Sequence, residues 1–282
     1  DLPIIIKIGI YEYDAKVLDF DSLENRLYFR CEKKLSSEGY TVKVLIDPSW
    51  IIEKIRERIE NSKDTYLENQ FIPKMINGNI INGKVEYFEK FENEVDLIGS
   101  QKDAYEYSLN NKLSIIWGPP GTGKSHTLAR IVRALYKSKE KTLITCIANI
   151  AVDEIAEKTV KLLEEKKDII GEGEILRIGY IQNPLLLKTE YLFPDNDETR
   201  KLRSRILEIK EKLNELNREE KIKLKEEKQK LNETLKVNIS EIIHKSTINF
   251  ATISKFFVDG DLNGQKYENL IIDEASMVSI PH

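Results

Sequence analysis

The sequence predicts an α/β fold in which a parallel sheet carries helices on both faces, preceded by a small β region and interrupted by a helical hairpin. Three observations predict it. From Leu97 onward, apolar runs of strand length alternate with segments of helical periodicity, the pattern that buries a parallel sheet under crossover helices. A glycine-rich turn, Gly118 to Ser125, joins one such run to one such helix. Residues 197–243 then replace the alternation with a Leu and Ile stripe, and neither Gly nor Pro occurs between Asp195 and Asn249.

Residues 1–47 read as four short strands, Ile4–Tyr13, Ala15–Phe20, Arg26–Cys31 and Thr41–Ile46, separated by polar turns. Strands this close in sequence predict a meander or small barrel. Asp47-Pro48-Ser49 is a helix entry, followed by Trp50, Ile51, Ile52, Ile55 and Ile59 at helical spacing. A second helix is expected over Thr65–Met75, so 48–96 is assigned to helices and a connection. Within 97–196, strand Leu113–Trp117 leads through the glycine turn into an amphipathic helix marked by Leu128, Ile131, Val132 and Leu135. Strand Thr142–Cys146, helix Val152–Glu165 and strand Ile175–Ile178 follow. Over 197–245, Leu202, Ile206, Ile209, Leu213 and Leu216 are spaced as a helix stripe that resumes at Leu224, Leu231, Leu235 and Ile242. Because strands return at Phe250–Ile253 and Leu270–Asp273 in the segment 246–282, the chain has to come back to its point of departure. An antiparallel hairpin does this, with arms of about 20 residues or ~30 Å and a turn near Asn217–Glu220.

Composition narrows the function. A net charge of -4 excludes a protein that binds polyanions by bulk charge, so any contact with nucleic acid is local. Cys31 and Cys146 are too few for a disulfide scaffold or a cysteine metal site and point to a reducing, intracellular compartment, cytoplasmic or nuclear. Apolar runs such as Ile4-Ile5-Ile6 are broken by Lys7, far short of the ~18–20 residues of a membrane span, and no signal peptide is visible. The chain opens on Asp1 rather than Met, which fits a missing natural N-terminus.

Chemistry concentrates in two stretches. Gly118-Pro119-Pro120-Gly121-Thr122-Gly123-Lys124-Ser125 fits G-x-x-x-x-G-K-[ST] in full, with His126 next as a further nucleotide contact. A triphosphate is a dense anion. Gly121 and Gly123 let the backbone curl so that several N–H groups point inward, and the helix beginning near Lys124 adds its positive end. Lys124 is expected to reach the β and γ oxygens, and Ser125 to offer its hydroxyl to Mg²⁺. Leu270-Ile271-Ile272-Asp273-Glu274 delivers two acids to the C-terminal edge of the sheet, Asp273 for the metal shell and Glu274 to polarise the attacking water.

At these residues the sequence resembles the superfamily 1 helicases of the senataxin and nonsense-mediated-decay type, which move 5′→3′ on single strands. Leu97-Ile98-Gly99-Ser100-Gln101 looks like the glutamine motif, which implies Gln101 as the adenine reader. Gly118–Ser125 is similar to motif I, Asn149-Ile150-Ala151-Val152-Asp153-Glu154 to motif Ia, Phe250-Ala251-Thr252-Ile253-Ser254 to the strand motif before motif II, and Asp273–Ser276 to motif II. The resemblance covers 97–282 and implies a P-loop RecA-like domain using ATP and Mg²⁺, with Asn149, Thr252 and Ser254 as contacts to single-stranded RNA or DNA. It also implies a β-barrel on stalk helices before the glutamine motif and a strand-guiding helical insertion at 197–245.

Two departures from the family matter. Ile147-Ala148 stands where the family usually has Pro-Ser, removing a hydroxyl contact to the strand. The chain stops at His282, so motifs III to VI and a second RecA-like domain in cis, with its arginine finger, are expected elsewhere. By itself the segment is expected to bind nucleotide weakly and turn it over slowly. An AAA+ ATPase shares the phosphate loop, but Lys124 and Asp273 stand much further apart than in such modules, and Gln101 has no role there. The other reading is a nucleotide-gated module whose hairpin 197–245 docks a protein partner.

Overall fold

The computed structural model describes residues 3–9, 11–21, 26–31, 43–45, 49–61, 96–212 and 218–278. The chain divides into two compact units, Asp1–Thr65 and Tyr66–His282.

In the first unit, β1 (Pro3–Ile8), β2 (Tyr11–Asp21), β3 (Arg26–Cys31) and β4 (Lys43–Leu45) form an antiparallel sheet in the order β3-β2-β1-β4. Alternation explains its one-sided core: Ile4 and Ile6 point inward opposite Ala15 and Tyr13. Val17, Leu27 and Phe29 complete the cluster. Two expected strands are corrected. Ile4–Tyr13 is not continuous, because Gly9 takes φ 61 and the chain reverses there into an Ile8↔Tyr11 register. Ala15–Phe20 is the continuation of β2, with an irregularity between Val17 and Asp19. Among the described residues β3 and β4 are the sheet's two edges. Helix α1 (Ser49–Asn61) follows, and the helix expected over 65–75 lies outside the described residues.

The second unit is built on an all-parallel sheet in the order β6-β7-β5-β8, comprising β5 (Thr142–Cys146), β6 (Ile175–Arg177), β7 (Ile248–Thr252) and β8 (Asn269–Ile272). Its helices are α2 (Ser100–Asn110), α3 (Lys124–Lys137), α4 (Asn149–Glu165), α5 (Asp197–Lys212), α6 (Arg218–Lys245), α7 (Ile253–Val258) and α8 (Gly260–Asn263). Successive strand residues face opposite ways. Ile144, Cys146, Ile175, Ile248 and Phe250 pack under α2, α3 and α4, whereas Leu143, Leu176 and Ala251 pack with Ile243 of α6 and Leu262 of α8. Helices therefore cover both faces of a parallel sheet, as the alternation predicts. Helix α3 is buried from Thr127 to Tyr136 rather than along one stripe, because α2 and α4 both pack on it.

Three expectations are revised here. Leu113–Trp117 is irregular, with Ile115 and Trp117 87% and 88% exposed. A strand exists through its ladder, and among the described residues β8 is an edge that pairs only with β5. Helix α4 begins at Asn149, three residues before its expected start. The segment 197–245 contains two helices of 16 and 28 residues tied by Arg205 to Glu227 at 2.9 Å, not two equal arms. Arg218–Glu220, expected in the turn, open α6, and 213–217 lie outside the described residues.

Candidate active site

The phosphate loop is shaped by its glycines. Gly121 and Gly123 hold φ 82 and φ 86, conformations that residues with a Cβ rarely adopt. Gly123 ends the loop in this left-handed state and releases Lys124 into the first turn of α3. A side chain at Gly123 would also stand 2.5 Å from Gln101 Nε2, because the Gln101 amide lies against the loop and donates to the Thr122 carbonyl at 3.0 Å. Thr122 Oγ1 donates to the Pro119 carbonyl at 2.8 Å and tightens the turn. Lys124 Nζ donates to the carbonyls of Gly118 at 2.6 Å and Pro119 at 3.1 Å, so the ammonium curls over the mouth of its own loop. Ser125 is half-buried in the same helical turn. His126 is exposed, and its ring nitrogen lies 2.6 Å from Arg130 Nη1. Burial and then the Arg130 charge hold its pKa below the usual imidazole value.

Topology brings the acids to the same edge. Helix α3 feeds β5 through the short turn at 138–141 and packs on the sheet, so it runs against the strand and its N-terminus lies at the strands' C-terminal edge. Asp273 directly follows β8, and its N–H extends the ladder by donating to the Thr145 carbonyl at 2.9 Å. Glu274 takes φ 52 and ψ 37, a left-handed conformation costing a non-glycine residue about 1–2 kcal/mol. The Cys146 thiol at the end of β5 reports both acids: burial first, then the charges of Asp273 and Glu274, push its pKa up to about 12.

The acid and hydroxyl donors suit a hard cation. Mg²⁺ is held through one or two carboxylates together with substrate phosphates and water rather than by a full protein cage. Asp273 and Ser125 are a carboxylate and a hydroxyl of the kind such a site uses, and no cluster of three or more His, Cys, Asp or Glu able to hold a metal occurs among the described residues.

The remaining sequence-derived candidates have distinct surroundings. Asn149 opens α4, and its Oδ1 accepts from Arg177 Nη2 at 2.9 Å. Thr252 is buried at 7% exposure, where its Oγ1 caps α7 by accepting from the Lys255 N–H at 3.2 Å. Ser254 is exposed in the first turn of α7. Sequence reasoning missed the buried pair behind Asn149: Arg177 Nε donates to Asp153 Oδ1 at 2.7 Å, with both side chains fully buried. Two signals were available. Asp153 lies four residues after Asn149, on the same helix face, and Arg177 ends an otherwise apolar strand.

A phosphate loop and an acid pair at one edge of a doubly covered parallel sheet, with a glutamine folded onto the loop, define a P-loop nucleotide-binding domain. The protein family described as an AAA domain matches residues 96–282. A DNA polymerase alpha-associated DNA helicase A of Schizosaccharomyces pombe is 28% identical over 222 residues, covering 71% of this chain and 30% of that protein. An uncharacterized ATP-dependent helicase of Methanocaldococcus jannaschii is 34% identical over 134 residues, 45% of this chain and 19% of that protein. A regulator of nonsense transcripts 1 homolog of Drosophila melanogaster is 47% identical over 64 residues, 22% of this chain and 5% of that protein. The chain belongs to this AAA-domain family and is similar to the first domain of superfamily 1 helicases. It spans under a third of the length of each of these relatives. No helix among the described residues is long and apolar enough to cross a membrane.

Proposed function

We propose that the chain is the ATP-binding half of an ATP-dependent motor that moves on single-stranded RNA or DNA. The observation that carries this reading is the shared sheet edge on which Lys124 opens α3 and Asp273-Glu274 follow β8. Gln101 reads the adenine and couples it to the loop through its bond to Thr122. The N–H groups of 121–125 and the Lys124 ammonium bind the β and γ phosphates, the ammonium exchanging its carbonyl partners for phosphate oxygens. Ser125 and Asp273 would hold Mg²⁺, which neutralises phosphate charge when bound. Glu274 orients the attacking water and accepts its proton.

The regions outside this edge take accessory roles in the same reading. In this reading β1–β4 belong to the barrel expected over 1–47 and α1 to the stalk and linker expected over 48–96, 97–196 and 246–282 form the RecA-like body, and 197–245 is an inserted hairpin guiding the strand. Asn149 and Ser254 face nucleic-acid phosphates, whereas the cap made by Thr252 favours a structural role for that hydroxyl. A second RecA-like domain in cis would complete the site with an arginine, an addition worth about 10³–10⁵ in rate in related chemistry.

The test is an ATPase assay of the full-length protein with and without single-stranded RNA and DNA at two salt concentrations. The proposal expects stimulation by single strands that weakens at high salt and disappears in Lys124→Ala and Glu274→Gln. Turnover indifferent to any polynucleotide would overturn it.

A further inference from the structure

Arg177 ends β6 at 1% exposure, and its guanidinium is fully directed. Nε donates to Asp153 Oδ1 at 2.7 Å and Nη1 to the Ile178 carbonyl at 2.6 Å. Nη2 is shared between Asn149 Oδ1 at 2.9 Å and the Tyr180 carbonyl at 2.8 Å. The other oxygen of Asp153 accepts the N–H groups of Gln182 at 2.7 Å and Asn183 at 3.0 Å. One buried ion pair, with Asp153 one turn into α4 and Asn149 at its start, thus fastens the beginning of α4 to the loop after β6. Burying two charges is a poor way to gain stability compared with apolar packing, so the pair is better explained by the geometry it imposes.

That geometry presents two side chains outward. Because Asn149 Oδ1 is occupied by Arg177, the amide group is oriented with Nδ2 as its remaining donor. Gly179 sits at φ 109, a conformation suited to glycine, with Arg177 Nη1 and the Lys255 side chain close by. The loop therefore turns in a fixed way and leaves the Tyr180 ring 71% exposed while its own carbonyl is held by the guanidinium. Ile150, also exposed, adds apolar surface one residue after Asn149. A hydrogen-bond donor at a helix start beside an exposed aromatic ring suits an unpaired nucleotide, with phosphate on the donor and base on the ring.

We propose that Arg177 is a positioning residue for a single-strand contact formed by Asn149 and Tyr180, in which Asn149 Nδ2 donates to a phosphate oxygen and the Tyr180 ring stacks on a base. This rests on the reading of the chain as a single-strand motor. Arg177 touches no nucleic acid itself and acts through the two residues it holds.

The test uses the full-length protein and 5-iodouridine-substituted single-stranded RNA, with its deoxyuridine counterpart as DNA. Photocrosslinking mapped by mass spectrometry is expected to label Tyr180, an adduct that a merely structural tyrosine would not give. Tyr180→Ala is expected to raise the polynucleotide KM for ATPase stimulation roughly 5- to 100-fold while kcat at saturating polynucleotide holds, Tyr180→Phe to restore it, and Tyr180→Leu to fail. Arg177→Ala alone risks misfolding, so Asp153→Leu/Arg177→Met replaces both charges together. Once shown folded by thermal unfolding, it is expected to weaken single-strand binding, with no further loss when Asn149→Ala and Tyr180→Ala are added. If wild type is stimulated by single strands but these variants match it and Tyr180 is not labelled, the inference falls and the motor reading stands. If wild type itself neither binds single strands nor responds to them, both fall.

Discussion

Removing the Asp153 carboxylate is a severe single perturbation of the second unit, because one side chain accepts three hydrogen bonds. Asp153→Ala strips three donors of their acceptor at once: the buried Arg177 guanidinium and the part-buried N–H groups of Gln182 and Asn183. Breaking a buried ion pair from one side costs about 3–5 kcal/mol, because the surviving charge keeps its desolvation penalty. Each orphaned N–H adds on the order of 1 kcal/mol, softened where water enters the space left behind. With the N–H costs about halved by water, a loss of about 4–6 kcal/mol is expected, against a total stability of roughly 5–15 kcal/mol. For a unit of this size that lowers Tm by roughly 10–20 °C. Urea unfolding followed by circular dichroism at 222 nm measures it as a fall in midpoint at unchanged slope. Asp153→Leu/Arg177→Met removes the uncompensated charge and is expected to recover at least half of the loss, leaving the two N–H groups as the residue. A change below about 1 kcal/mol in Asp153→Ala would refute the reasoning, as would a double variant no more stable than the single one.

Gly123→Ala forces a Cβ into φ 86 and against Gln101 Nε2, so ATP affinity measured by calorimetry is expected to fall about tenfold or more, following the ~1–2 kcal/mol cost of the left-handed backbone. Glu274→Gln removes the proton acceptor but not the phosphate cradle, so it is expected to lower turnover at least 100-fold while retaining nucleotide binding, a split read by parallel ATPase and binding assays. Cys146 has its folded pKa raised to about 12 from an ordinary value near 9, so its contribution to stability is complete below pH ~9 and is lost as pH rises toward 12. In a Cys31→Ser background, iodoacetamide at pH 8.5 is therefore expected to leave Cys146 unmodified until the protein is unfolded, and stoichiometric native labelling would contradict this.

The phosphate loop was legible because its chemistry is written in consecutive residues: the cradle needs left-handed glycines a fixed distance before a lysine, and nothing remote defines it. Asp273 and Glu274 were legible for a related reason, since an apolar strand ending in acids announces where those acids emerge. The alternation that predicts helices on both faces is likewise a local pattern repeated. What escaped depends on partners. Leu113–Trp117 has the composition of a strand, but its ladder is a property of whatever lies beside it. The reversal at Gly9 hides inside an apolar run with no polar turn to mark it, and the absence of Gly and Pro across 197–245 left no mark for where α6 begins. The Arg177 network escaped most completely. Asn149 and Asp153 stand 28 and 24 residues before Arg177, and they meet it only once α4 has packed beside β6.

The strand order gives the two halves of the proposed mechanism a shared frame. Arg177 ends β6 on one flank of the sheet and Asp273 follows β8 on the other, with β7 and β5 between them. Three inter-strand steps of about 4.8 Å separate them by roughly 14 Å. Every residue of β5, β6 and β7 is buried, and β5 is hydrogen-bonded on both sides, so this frame is among the least deformable parts of the unit. The acid at Asp273 and the proposed strand contact at Asn149 and Tyr180 are therefore carried on one frame. A motor built this way does not bend its first domain to pull a strand. In the proposed reading, hydrolysis would become motion by changing how this rigid edge meets a second body, through exposed residues at the edge such as Glu274 and Tyr180 rather than within the sheet that carries them.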